Sequence, residues 1–156
     1  MIRLAILQVL ITSILLSSNS HPIILVHGFL GWGKEEVGDK NYWGGENDIE
    51  KYLNDRGFQV YSVSLGPVSS TYDCAIETFY QIKGGQVDYG QEHSEKYKII
   101  RKPEGKFYKG FYPEWNEENP VHLIGYSFGG LTNRMLLHLL NSCLLYTSDA
   151  ADDVRS

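Results

Sequence analysis

The sequence predicts an α/β fold, a parallel sheet with helices on both faces, and three observations predict it. Gly125-Tyr-Ser-Phe-Gly129 fits G-x-S-x-G and sits between an apolar run and a helical repeat. His21-Pro-Ile-Ile-Leu-Val-His-Gly28 is almost continuously apolar, as a parallel strand covered on both faces would be. Between them the patterns run strand, helix, strand, helix, the order of a doubly wound sheet.

The strand at 21–28 ends in His27-Gly-Phe-Leu-Gly-Trp-Gly33. Three glycines in seven residues mark a loop that brings backbone close to something. Asn47-Asp-Ile-Glu-Lys-Tyr-Leu-Asn-Asp-Arg-Gly57 reads as a helix. Asn47 or Asp48 can cap it, Ile49, Tyr52 and Leu53 share a face, and Gly57 ends it. Gln59 to Val63 alternates as a strand does. Residues 69–84 form a second helical pattern, opened by Ser or Thr and closed by Gly84. From Gly84 to Asn119 the chain is polar, aromatic and weakly periodic, too long for a plain connection. It reads as an insertion packed by Tyr89, Tyr97, Phe107, Tyr108, Phe111, Tyr112 and Trp115.

Val121, Leu123 and Ile124 then give a short buried strand, and Leu131, Met135, Leu136, Leu139 and Leu140 a buried helix face. Ser127 therefore lies at a strand-to-helix turn, the setting of a serine nucleophile. A Cβ at either flanking glycine would collide with strand or helix. In such sites one oxyanion N–H follows the nucleophile and another comes from the loop after an earlier strand. On that pattern the donors are the backbone N–H groups of Phe29, in the glycine-rich loop, and of Phe128. His27 reads as a loop brace rather than a base.

With 156 residues, 42% of them hydrophobic, the chain can bury one core. A formal charge of −5 and the lack of a basic cluster argue against nucleic acid. Residues 1–20 have the pattern of a secretory signal: a basic start at Arg3, an apolar stretch from Leu4 to Leu16, then small residues. The segment 142–156 does not continue the helical repeat and reads as a non-native tail. Cys143 falls in that tail, which leaves Cys74 as a buried small residue without a trusted disulfide partner.

Six separated strings then carry a resemblance. Pro22-Ile-Ile-Leu-Val-His-Gly-Phe-Leu-Gly-Trp-Gly33, Tyr42-Trp-Gly-Gly45, Gly66-Pro-Val-Ser-Ser70, Val87-Asp-Tyr-Gly90, His93-Ser-Glu-Lys-Tyr97 and Gly125-Tyr-Ser-Phe-Gly129 occur in that order. They resemble the secreted triacylglycerol lipases of the staphylococcal and thermoalkaliphilic bacillus type, over roughly residues 22–141. The resemblance implies an alpha/beta-hydrolase domain and hydrolysis of acylglycerol esters at a lipid–water interface. It implies Ser127 as nucleophile and Phe29 and Phe128 as oxyanion-hole positions. It also implies a structural zinc held by two Asp and two His. Asp73 and His93 match one of each, whereas Ile99 stands at the second His position and the last Asp has no counterpart here.

The expected Asp and His of a triad follow the serine in such domains. His138 lies eleven residues after Ser127 on the same helical pattern, about 16 Å along it. A base must reach about 3 Å. The chain thus reads as a domain truncated after the nucleophile helix, with little or no ester turnover by itself. The competing readings are another alpha/beta hydrolase (carboxylesterase, phospholipase or acyltransferase) and a non-enzymatic secreted lipid-binding relative.

Overall fold

A computed structural model describes residues 21–34 and 36–142. The secretory-signal segment 1–20 and the tail from Cys143 onward lie outside the described residues. Three strands form a parallel sheet. Strand β1 is Ile23–Val26, β2 is Val60–Ser62, and β5 is His122–Gly125, in the spatial order β2-β1-β5. A separate antiparallel pair joins β3, Gly85–Gln86, to β4, Phe107–Tyr108. The helices are α1, Ile49–Asn54; α2, Thr71–Lys83; α3, Gln91–Tyr97; and α4, Phe128–Asn141.

This order is the doubly wound arrangement expected from the sequence. The chain steps from β1 outward to β2, then back across β1 to β5. Parallel crossovers are right-handed, so reversing the direction of travel puts α1 and α2 on opposite faces. Alternation along β1 aims Ile24 and Val26 to one face, and both are completely buried. They join Ala75, Ile76, Phe79 and Ile82 of α2 and Leu136 and Leu139 of α4 in the core. Burying each such aliphatic side chain contributes about 1.5–3 kcal/mol, which makes this layer the main source of stability.

Helix boundaries follow their caps. Ser70 Oγ accepts from the Asp73 N–H at 3.1 Å, and Gly84 closes α2 at φ 94°. Asp48, rather than Asn47, caps α1 by accepting from the Lys51 N–H at 2.8 Å. Of the predicted Ile49, Tyr52 and Leu53 face, Ile49 and Tyr52 are 40% and 55% exposed and only Leu53 is half-buried, so packing holds α1 weakly. Side chains tie it to β2 instead. Asn54 both accepts from the Val60 N–H (3.0 Å) and donates to the Val60 carbonyl (2.9 Å).

The insertion at 84–119 is more regular than its weak periodicity suggested, with a two-residue strand pair around α3. Backbone bonds such as Val87 N–H to the Lys106 carbonyl (2.9 Å) and Tyr89 N–H to the Arg101 carbonyl (3.0 Å) hold it together with charged side chains, and neither leaves a hydrophobic period to read. Tyr89 is buried, and Tyr108, Phe111, Tyr112 and Trp115 pack against the core, with Phe111 stacked on Tyr61 at 5.1 Å. Tyr97 and Phe107, expected to pack there too, are 57% and 67% exposed.

Candidate active site

The site begins with strand register. β1 and β5 align Val26 with Gly125, so the two residues after each strand emerge side by side. Tyr126 N–H continues the pairing by donating to the Val26 carbonyl at 3.1 Å. Two positions further, Gly28 meets Ser127. A Cβ added to Gly28 would lie 3.0 Å from the Ser127 Cβ. The candidate serine and the glycine-rich loop are therefore neighbours because the ladder leaves them no alternative.

Ser127 occupies a strained turn. Its backbone stands at φ 53°, ψ −120°, a conformation that costs a non-glycine residue on the order of 1–3 kcal/mol. Its side chain makes no capping bond to α4, and the residue is exposed at the carboxyl edge of the sheet. Both motif glycines are sterically required, as the sequence indicated. A Cβ on Gly125 would fall 2.5 Å from the Gly129 backbone, and one on Gly129 would fall 2.1 Å from the Val26 carbonyl oxygen. The helix start is thus pressed directly against β1, and its first N–H groups and positive dipole end flank Ser127.

Phe29 and Phe128 come together across the turn, with ring centroids 6.4 Å apart. Their backbone N–H groups have no hydrogen-bond acceptor among the described residues, while the neighbouring Leu30 and Gly31 N–H groups do. Two donors at the edge of a strained serine turn can stabilise a negative oxygen. The rim is apolar: Phe29, Leu30 and Tyr126 are each about 60% exposed, at 59%, 60% and 63%.

A relay of hydrogen bonds fixes the loop. Gln81 on α2 clamps Ser64, accepting from its N–H (2.8 Å) and donating to its carbonyl (2.7 Å). The next N–H, of Leu65, donates to His27 Nε2 at 3.0 Å. That assigns the ring proton to Nδ1, 3.0 Å from the Gly28 carbonyl. Both His27 nitrogens are committed and the ring is 3% exposed, so His27 is a brace and not a base. From the other side the Tyr42 hydroxyl accepts from the Gly28 N–H at 3.1 Å. Sequence reasoning missed Gln81 and Tyr42. The Tyr42-Trp-Gly-Gly45 string was visible, but no sequence signal says that its hydroxyl reaches Gly28.

Other histidines are placed elsewhere. His93 pairs with Asp73, the His21 and His122 rings lie 6.3 Å apart, and His138 sits near the far end of α4. Among the described residues no histidine is hydrogen-bonded to Ser127. Asp73 and His93, the two candidate metal ligands, do meet: His93 Nε2 lies 2.8 Å from Asp73 Oδ1. Tyr72 stacks on the imidazole at 4.0 Å, and Ser70 Oγ donates to the other Asp73 oxygen at 2.7 Å. Structural zinc takes four donors, and Ile99 offers none. Among the described residues no group of three or more His, Cys, Asp or Glu could hold a metal. The pair by itself does not make up a zinc site.

Cys74 is buried and unbonded as a disulfide, and burial pushes its thiol up to about 12. Among the described residues no helix is long and apolar enough to cross a membrane.

Residues 19–144 match the family model described as "Lipase-like, C-terminal domain". The chain is 41% identical over 124 residues to a lipase of Staphylococcus hyicus, covering 78% of this chain and 19% of that protein. The solved structure of lipase 1 from Pelosinus fermentans superposes with a TM-score of 0.73 at 47% identity, covering 79% of this chain and 33% of that one. The crystal structure of Staphylococcus hyicus lipase gives 0.73 at 42% identity, covering 79% and 32%. The chain thus spans about a fifth of the length of the curated relatives it matches.

Proposed function

Because the chain belongs to the family of the lipase-like, C-terminal domain, we propose that the protein carrying it is a triacylglycerol lipase, a serine ester hydrolase, with Ser127 as its nucleophile. The observation that carries this reading is the turn itself: an exposed serine at φ 53°, wedged by two obligatory glycines between a parallel strand and a helix. Serine attack on the ester carbonyl forms a tetrahedral oxyanion, which the Phe29 and Phe128 N–H groups stabilise. Collapse expels the alcohol, and water then releases the fatty acid from the acyl-serine. The general base and its acid are contributed by groups other than the described histidines.

Lipid esters suit the apolar rim of Phe29, Leu30 and Tyr126, which can lie against a lipid–water interface. The amino-terminal pattern of residues 1–20 supports secretion. The test is hydrolysis of tributyrin and p-nitrophenyl butyrate by the protein that carries this chain. Ser127→Ala is expected to lower kcat by about 10⁶-fold. Turnover that survives the substitution removes the nucleophile assignment.

A further inference from the structure

The loop that carries the Phe29 N–H is tied at both ends to the same short stretch after β2, centred on Ser64. At the near end, the Leu65 N–H donates to His27, and the His27 ring holds the Gly28 carbonyl (both 3.0 Å). At the far end, Ser64 Oγ donates to Glu36, whose other oxygen accepts from the Gly33 N–H at 2.8 Å. Gly33 also packs against Ser64, where a Cβ would collide with the serine side chain. Whatever fixes Ser64 therefore fixes the loop from Gly28 to Gly33.

Gln81 fixes it. The Gln81 amide accepts from the Ser64 N–H (2.8 Å) and donates to the Ser64 carbonyl (2.7 Å), a two-point grip that sets position and orientation together. Gln81 is 3% exposed, so solvent has little access to either bond. Its own backbone is held from the insertion, because the Phe111 N–H donates to the Gln81 carbonyl at 2.9 Å. The residue is thus anchored independently of the loop that it holds.

The near-end chain terminates on the Gly28 carbonyl, and that carbonyl steers the donor. Gly28 C=O and Phe29 N–H belong to one planar trans peptide, so they point in opposite directions. The carbonyl meets two donors, His27 Nδ1 and the Gly31 N–H (2.9 Å). Holding it fixes the peptide plane and turns the Phe29 N–H away from His27. The following N–H, of Leu30, is held by the Pro67 carbonyl at 2.9 Å, which opposes rotation of the plane from the other side.

We infer that Gln81 is a positioning residue for the oxyanion: acting through Ser64, it aims the Phe29 N–H. Gln81 does not touch the reacting atoms. Its contribution is confined to the tetrahedral state, where negative charge develops on the oxygen, and is absent from substrate binding. The role rests on the lipase reading, with Ser127 as nucleophile.

Kinetics of the protein that carries this chain test it. Gln81→Met keeps the length of the side chain and removes both bonds to Ser64. A group displaced by about 1 Å can cost about 10²-fold, so kcat for p-nitrophenyl butyrate should fall about ten- to hundredfold with KM unchanged. An alkyl boronic acid adds to the serine as a tetrahedral anion, and its affinity should fall by the same factor. Glu36→Ala, at an exposed position, releases only the far end of the loop. It should lower kcat about two- to tenfold, and Glu36→Gln, which keeps an acceptor, should recover most of the loss. In the double variant the two losses should combine to less than their product, because both act through Ser64. A lowered urea midpoint with kcat, KM and boronate affinity unchanged would make Gln81 a structural residue only and overturn the role. Where Gln81→Met does not fold, the Glu36 variants decide, and an unchanged kcat in Glu36→Ala overturns the anchoring at Ser64. Independent losses in the double variant overturn the shared path. Hydrolysis lost in Ser127→Ala but unchanged in Gln81→Met removes the positioning role alone. Hydrolysis that survives Ser127→Ala removes the nucleophile, and the positioning role with it.

Discussion

The corner where β1 meets β5 and the insertion at 84–119 are held by different physics. The corner is built from main chain: strand register, two glycines with no room for a Cβ, and one strained serine. The insertion adds charged side chains to its backbone bonds. Glu77, 2% exposed on α2, accepts from Lys106 (2.7 Å) and from the Tyr89 hydroxyl (2.6 Å). Asp88, 6% exposed, accepts from Arg101 through both oxygens (2.8 and 2.6 Å) and from the Gly90 N–H. Lys83 donates to the carbonyls of Pro113 and Trp115. Backbone contacts fix atoms where chemistry needs them, and they do not depend on pH. Buried carboxylates paired with part-exposed cations hold a polar segment in place, at the cost of sensitivity to any change in either partner.

Substitutions should separate the two. The largest effect is on chemistry at the corner, where Ser127→Ala should lower kcat by about 10⁶-fold while leaving the urea midpoint essentially unchanged. A large fall in stability would mean that the serine holds the fold, and the comparison would fail. Next comes Lys106→Met, which leaves Glu77 buried without its cation. Urea unfolding should show a loss of about 3–5 kcal/mol, mostly recovered in the double variant with Glu77→Leu. If the single and double variants are equally unstable, the ion pair is not what anchors the insertion.

Acid should act on the insertion before the corner. Burial opposes the Asp88 charge, but hydrogen bonds from Arg101 and Gly90 and the charges of Arg101 and Lys102 outweigh it, so its pKa lies below the ordinary 3.8. A carboxylate with a lowered folded pKa contributes stability that is complete above its unfolded value. That contribution is lost as pH falls through the folded value. Denaturation midpoints should therefore hold steady above about pH 4 and drop below it, with a shallower drop in Asp88→Asn. An identical acid profile in that variant would assign the loss elsewhere. The smallest effect belongs to Tyr42→Phe, which takes the acceptor from the Gly28 N–H. It should cost about 1 kcal/mol, read as a several-fold fall in kcat/KM for a short-chain ester. No change would mean that the His27 relay alone positions the loop.

The corner was legible in the sequence for the same reason it is rigid. Gly125, Ser127, Gly129 and Gly28 are residue types that only this backbone geometry demands, so their spacing carries the structure. The core strands and α2 were legible through apolar runs and the Ser70 and Gly84 caps. Polar partnerships left no such trace. Nothing in the spacing of Glu77 and Lys106, or of Gln81 and Ser64, announces a contact, because each pair is joined only by tertiary packing. The same holds for Tyr42 on Gly28. Asp73 and His93, matched to metal ligands only through the resemblance, meet as a hydrogen-bonded pair with Tyr72 stacked on the imidazole.

The central claim is that the strained turn makes Ser127 the attacking group. An alkyl phosphonate with a p-nitrophenyl leaving group forms a stable adduct on an activated serine, so it can be applied to the protein that carries this chain and mapped by peptide mass. One adduct on Ser127, absent in Ser127→Ala, is the expected result. An adduct on a different residue, or none while ester hydrolysis proceeds, would contradict it.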